Sequence, residues 1–130
     1  MENPDEVISA NKQTRGLSAH LTGVAAENSV ARQYEIAGWR ILERRWRGEA
    51  GEIDLIAMRD GVTAFVEVKQ SVTIDAAIAR LQPKQLARIA ASAESYFLNR
   101  ANRVSGDIRV DLAAVDKSGR IEIIENLTLW

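Results

Sequence analysis

The chain has no cysteine, which excludes a disulfide framework, a thiolate zinc site and a thiol nucleophile. Its single histidine, His20, argues against a histidine-rich metal centre and against a Ser-His-Asp triad. No apolar run approaches the roughly 20 residues of a membrane span, and Met1 to Thr14 lacks the apolar segment of a signal peptide. A cytoplasmic protein with no membrane partner is expected. Charge of one sign is also missing. Seventeen Lys and Arg against 18 Asp and Glu leave a net charge of −1, so bulk charge gives no pull toward nucleic acid or anionic lipid. At 130 residues the chain is long enough for one core. The expected organisation is a flexible polar arm over 1–14 and a single domain over 15–130.

What the chain does have is an uneven placement of charge. Arg40, Arg44, Arg45 and Arg47 crowd before a central apolar stretch, and Arg80, Lys84 and Arg88 recur every four residues after it. The stretch itself, Gly51 to Lys69, reads as two strands, Glu52–Arg59 and Val62–Gln70. Asp60-Gly61 joins them, a dipeptide suited to a tight hairpin because both residues tolerate positive φ. Counting outward from that turn sets Arg59 opposite Val62, Asp54 opposite Glu67 and Glu52 opposite Lys69. Directly opposed side chains share a face with Cβ atoms roughly 5 Å apart.

One face of this hairpin carries Ile53, Leu55, Ala57, Val62, Ala64, Val66 and Val68. The other carries Ile56, Met58 and Phe65 near the turn, then Asp54, Glu67, Glu52 and Lys69 at the open end. Apolar residues on both faces predict strands covered on both sides, and the charged end then marks a cleft at the sheet margin.

Upstream, the Ala-rich pattern from Leu17 to Ala37 predicts a helix that Gly38 ends in a left-handed cap. Leu21, Val24, Ala25, Ala31 and Tyr34 would form its buried side, with Glu27 leaning toward the core. Trp39 to Trp46 reads as a first strand. Downstream, a helical segment begins after Ser71, with Pro83 near the start of the main helix. Leu86, Ile89, Ala90, Ala93 and Phe97 would be its buried stripe, and Arg80, Lys84 and Arg88 a basic one. Asn99 to Gly106 reads as a polar loop, Ile108–Val115 as a strand, and Lys117-Ser-Gly119 as the turn into a last strand, Ile121–Ile124. The helical crossover suits parallel pairing of the strands ending at Lys69 and beginning at Ile108. The architecture is α/β, in the order α-β-β-β-α-β-β, a mixed sheet flanked by helices.

Two carboxylates facing each other destabilise a sheet unless something compensates. One acid can stay protonated, a cationic side chain can bridge them, or a divalent cation can bind. A hard cation such as Mg²⁺ takes oxygen ligands and needs few of them from protein. Asp54, Glu67 and the Val68 carbonyl would give a partial shell, with Glu27 adding a further carboxylate. Such a site suits phosphodiester hydrolysis, because the cation neutralises phosphate charge and activates water. Lys69 would orient that water or stabilise the transition state. Arg44, Arg45, Arg47, Arg80, Lys84 and Arg88 are the candidate contacts to a nucleic-acid backbone.

Asp54 followed by Glu67-Val-Lys69 after an apolar hairpin resembles the signature of the PD-(D/E)XK nuclease superfamily. More narrowly, Gly23-x-x-Ala26-Glu27, Gly38, Gly51-Glu-Ile-Asp-Leu-Ile-Ala57 and Phe65-Val-Glu-Val-Lys69 look like the YraN-like family of small bacterial predicted endonucleases. Arg88-Ile89, Val110-Asp111 and Ile124-x-Asn126 extend the likeness, which covers about Leu17 to the C-terminus. The resemblance implies a restriction-endonuclease-like fold similar to Holliday-junction resolvases. It also implies a Mg²⁺- or Mn²⁺-dependent endonuclease acting on DNA, with branched or recombination intermediates among its substrates. Glu27, Asp54, Glu67 and Lys69 match its acidic and basic site positions. Gln70-Ser71 depart from the pattern, standing where a basic residue would be expected soon after the signature lysine.

Blander readings stand beside these. Glu52 is as well explained by an ion pair with Lys69 as by ligand duty. Asp111, between apolar Val110 and Leu112, suits a structural hydrogen bond as well as a site margin. Trp39, Trp46 and Tyr34 fit a core better than a base-stacking platform. The whole chain also fits a non-catalytic nucleic-acid-binding accessory protein that keeps a nuclease fold. A junction-cutting enzyme would act as a homodimer, since two strands must be cut symmetrically.

Overall fold

In a computed structural model, which describes residues 23–99 and 106–127, Asp60 and Gly61 take φ of 50° and 76°. Two left-handed residues in succession match the twist of the flanking strands, and they join β2 (Gly51–Arg59) to β3 (Val62–Gln70). Arg59 pairs with Val62, and the register runs as counted from the turn through Leu55 opposite Val66. Strand β1 (Arg40–Gly48) lies antiparallel to β2. On the other side, β4 (Asp107–Val115) runs parallel to β3, and β5 (Ile121–Ile124) closes the sheet antiparallel to β4. The spatial order β1-β2-β3-β4-β5 follows the chain. The expectations for the arm over 1–14, for His20 and Leu21, and for residues 100–105 of the polar loop fall outside the described residues.

Parallel pairing of β3 and β4 needs a crossover. Two helices supply it, α2 (Ile74–Ala79) and α3 (Pro83–Asn99). Thr73 caps α2, its side-chain oxygen accepting the Ala76 N–H at 3.0 Å. Helix α1 occupies residues 23–36 and ends at Gly38, where φ is 92°. There Gly38 and Trp39 donate backbone hydrogen bonds to the carbonyls of Glu35 and Tyr34. Its buried stripe is Ala26, Val30, Ala31 and Tyr34, whereas Ala25 is exposed. The stripe is therefore rotated by about one position from the expected one, because Val30 is drawn into the core.

The sheet is covered on both faces. Ala26, Val30, Ala31 and Tyr34 pack with Leu55, Ala57, Ala64, Val66, Ala113 and Val115. On the reverse, Ile89, Ala93 and Tyr96 of α3 pack with Ile53, Ile56, Phe65 and Val110. Trp46 and Phe65 both meet the Tyr96 ring edge-on, at centroid separations of 5.1 and 5.7 Å. Ile53 is thus on the α3 face, opposite to Leu55, and this corrects the uniform alternation expected of β2.

The reason lies in a paired irregularity. Arg44 pairs with Leu55 and Trp46 with Ile53, but the Arg45/Asp54 position between them breaks, and Arg45 takes φ of 50°. Arg44 and Arg45 both reach α1, hydrogen bonding to Asn28 Oδ1 and Glu27 Oε2, while Trp46 packs toward α3. The phase of both strands shifts at this point.

Asp111 is wholly buried on the α1 face. Its carboxylate accepts hydrogen bonds from Tyr34 Oη at 2.7 Å, Arg109 Nη2 at 3.0 Å and the Asn126 backbone N–H at 3.0 Å. It ties α1, β4 and the segment after β5 together, so its role is structural. Burial, and next the Asp111 hydrogen bond, push the Tyr34 hydroxyl well above its ordinary range. Trp39, also buried, lies beneath the guanidinium groups of Arg59 and Arg109, 4.7 and 4.6 Å from its centroid.

Candidate active site

The antiparallel ladder between β2 and β3 has its last pair at Leu55 and Val66. Beyond it the side chain of Asp54 takes over, accepting the backbone N–H of Val68 at 2.8 Å. This bond holds the acid of β2 against the strand that carries Glu67 and Lys69. Glu67 is 5% exposed, and its Oε1 stands 3.2 Å from Lys69 Nζ. Its other oxygen, Oε2, is buried without a hydrogen-bond partner among the described residues. An orphaned carboxylate oxygen in such a place is costly, and it marks where a proton or cation would bind.

Asp54 carries the electrostatic consequence. Its pKa is pushed up from 3.8 to about 7, first by burial and next by the Glu67 charge. Glu27 pushes the same way, whereas the Val68 amide and Lys69 pull down. Glu67, Glu27 and Lys69 thus all bear on the Asp54 carboxyl, from β3 and α1. The direct strand pairing of Asp54 with Glu67 counted from the turn is not formed, because the ladder ends at Leu55 and Val66; Asp54 meets the neighbouring strand through the Val68 amide instead, and Lys69 meets Glu67.

The fit to a divalent cation can be read from the donor set. Two acidic side chains of hard oxygen chemistry, one with a partnerless buried oxygen, suit an ion such as Mg²⁺ that keeps much of its water. Glu27 is not free to join as it stands, because Arg45 Nε donates to its Oε2 at 2.9 Å. Among the described residues no group of three or more His, Cys, Asp or Glu is disposed to hold a metal. The fit thus rests on Asp54, held to the Val68 amide, and on Glu67.

The expected pairing of Glu52 with Lys69 is not formed. Glu52 pairs across the sheet with Arg47, their charged groups 3.9 Å apart, and Lys69 turns to Glu67. Parting of β2 from β3 beyond Leu55 is the cause.

The basic residues also distribute differently. Arg80 is the C-cap of α2, and Pro83 starts a separate helix bearing Lys84 and Arg88, so the three do not form one helical stripe. Arg88 lies over Gly51, where an added Cβ would stand 2.9 Å from its Nη1. Arg44 and Arg45 are engaged by α1, and Arg47, beside Glu52, remains largely exposed.

A cleft of about 660 Å³ opens between α1 and the end of β3. Gly23, Ala26 and Glu27 line one side, and Val68, Lys69 and Gln70 the other, with Arg80 and Lys117 also at its wall. Asp54 and Glu67 are not among its lining residues, so Lys69, Val68 and Glu27 are what connect the buried acids to it. Lys117 was not anticipated. Its only signal in the sequence is the Lys117-Ser-Gly119 turn, and nothing local tells which loop that turn packs against.

The model of a family described as "Uncharacterised protein family UPF0102" matches residues 26–115. A UPF0102 protein of Ruegeria pomeroyi is 45% identical over 113 residues, covering 87% of this chain and 92% of the relative. One from Dinoroseobacter shibae is 44% identical over 119 residues, 91% of this chain and 88% of its own. One from Cereibacter sphaeroides is 46% identical over 111 residues, 85% and 95%.

Proposed function

The chain belongs to the uncharacterised protein family UPF0102, and we propose that it is a metal-dependent endonuclease of the PD-(D/E)XK type, YraN-like, that hydrolyses phosphodiester bonds in DNA. The observation that carries this reading is the juxtaposition at the end of the β2–β3 hairpin. Asp54 is fixed to Val68, Glu67 has a partnerless buried oxygen, and Lys69 sits beside Glu67. A structural sheet margin has no need of two acids arranged so that one is held protonated up to about pH 7.

Asp54, Glu67 and the Val68 carbonyl would hold Mg²⁺ or Mn²⁺. Such an ion, when bound, neutralises charge on the phosphate and lowers the pKa of a water. The residues of the chain do the rest. Lys69, which lines the cleft, reaches a phosphate oxygen or the attacking water while Glu67 limits its freedom. Arg45 holds Glu27 at the cleft wall, where it can orient a water or complete the acidic set once released. Arg47, Lys84 and Arg88 supply sequence-independent contacts to the strand.

One observation favours a second reading. With Glu27 engaged by Arg45, no third acid joins Asp54 and Glu67 among the described residues. A nucleic-acid-binding accessory protein with a silent site would look the same. The two part in one experiment: nicking of supercoiled plasmid and of a branched DNA with Mg²⁺ or Mn²⁺. An endonuclease cuts, and Asp54→Ala and Glu67→Ala each abolish cutting while retaining DNA binding. Binding without cutting in every metal would favour the accessory protein.

A further inference from the structure

Among the described residues three cationic side chains, Lys69, Arg80 and Lys117, line the cleft against one carboxylate, Glu27. Glu27 is paired with Arg45 and Lys69 with Glu67. Among the described residues Arg80 and Lys117 have no carboxylate partner; Arg80 Nη1 instead donates to the neutral Gln70 carbonyl at 2.5 Å. That bond uses one of the five donors of a guanidinium, leaving the others for an anion.

The backbone beneath these two residues is stitched together. Ser71 N–H donates to the Val115 carbonyl at 3.0 Å and Lys117 N–H to the Val72 carbonyl at 3.4 Å, so the β4–β5 turn is held against the β3–α2 connection. Asp116 stiffens the turn, its Oδ1 accepting from Ser118 N, Ser118 Oγ and Arg120 N at 2.9, 2.7 and 3.0 Å. Lys117 is thus an exposed side chain on a rigid turn, facing the same cleft as a guanidinium locked to the neighbouring strand end.

We propose that Arg80 and Lys117 form a subsite for a backbone phosphate of the bound polynucleotide, adjoining the phosphate addressed by Lys69. The proposal rests on the nucleic-acid reading above and assigns Lys117 a role that its place in a surface turn does not suggest. Among the described residues no aromatic side chain lines the cleft. Base stacking contributes nothing there, and the subsite reads phosphate rather than sequence.

The test is binding of a fluorescently labelled DNA oligonucleotide to the full chain in EDTA, across a salt series, so that neither metal nor hydrolysis enters. Each phosphate contact contributes roughly 0.7 to 0.9 to the slope of log affinity against log salt. Arg80→Gln with Lys117→Gln is expected to flatten the slope by roughly 0.7 to 0.9, the share of the one phosphate they hold. Arg80→Lys should keep most of the slope, and Arg32→Gln, an exposed charge on α1, should leave it unchanged. Lys117→Gln alters an exposed side chain and provides a folded single variant if Arg80→Gln lowers stability. An unchanged slope in the double variant, with wild-type binding intact, would overturn the subsite alone. An equal loss in Arg32→Gln would show a diffuse field and overturn it too. No binding by the wild-type chain at low salt would overturn the subsite together with the reading it rests on.

Discussion

The carboxylate of Asp54 accepts the backbone N–H of Val68 at 2.8 Å, in the gap where β2 and β3 separate. One residue before Val68 stands Glu67, buried and with an oxygen unpartnered. A side chain has replaced a strand's pairing, and by doing so it has drawn two acids into mutual repulsion.

That repulsion has a sign in stability. The folded-state pKa of Asp54 is raised from 3.8 to about 7 by burial and Glu67, so between these values the folded chain binds more proton than the unfolded one. Stability contributed by the neutral acid is present below about pH 4 and is lost as pH rises through about 7, with linkage bounding the loss at roughly 4 kcal/mol. Asp54→Asn keeps an oxygen for the Val68 amide and removes the charge. It is expected to raise the melting temperature at pH 8 and change it little at pH 5. An equal effect at both values would sink the argument.

Metal should reverse the same penalty. Protons compete for Asp54 up to about pH 7, so Mg²⁺ or Mn²⁺ should stabilise the chain against heat more at pH 8 than at pH 6. Glu67→Gln should remove that stabilisation at both. Thermal melts with the metal titrated at each pH decide it, and a shift that survives Glu67→Gln would place the ion elsewhere.

Arg45 holds a left-handed backbone at φ of 50°, a conformation that costs a residue with a Cβ about 1 kcal/mol. Its ion pair with Glu27 is partly exposed, at 47% and 22% of the side chains, and is screened by solvent. Arg45→Gly should therefore be more stable than Arg45→Ala by about 1 kcal/mol in urea denaturation. The order would invert if the backbone there were extended.

Asp111 is expected to matter for folding and not for cleavage. Asp111→Ala strands the Tyr34 hydroxyl and the Asn126 N–H and leaves Arg109 with only the more distant Glu125, 3.7 Å away. The cost should be about 3–5 kcal/mol. Tyr34→Phe removes one hydrogen bond to a charged acceptor and should cost about 1.5–3 kcal/mol. Denaturant titration measures both, and a loss below about 1 kcal/mol in Asp111→Ala would contradict the hub.

By itself the sequence determined whatever depends on neighbours along the chain. Asp60-Gly61 could be read because left-handed φ is a property of two residues, and register then propagates one pair at a time to Leu55 and Val66. Period-two and helical patterns likewise announced both faces of the sheet, and Asp54, Glu67 and Lys69 could be named from their count along the hairpin.

Only the tertiary structure decided where pairing stops. The shift at Arg45 and Asp54 sends Ile53 to the α3 face, turns Glu52 to Arg47 and gives Arg45 to Glu27. Each outcome depends on which helix covers which strand, and on whether a side chain outcompetes a backbone carbonyl for the Val68 N–H. Arg80 and Lys117 belong to the same class. They are 37 positions apart in number and meet because the β4–β5 turn docks on the β3–α2 connection, a contact that no local pattern encodes.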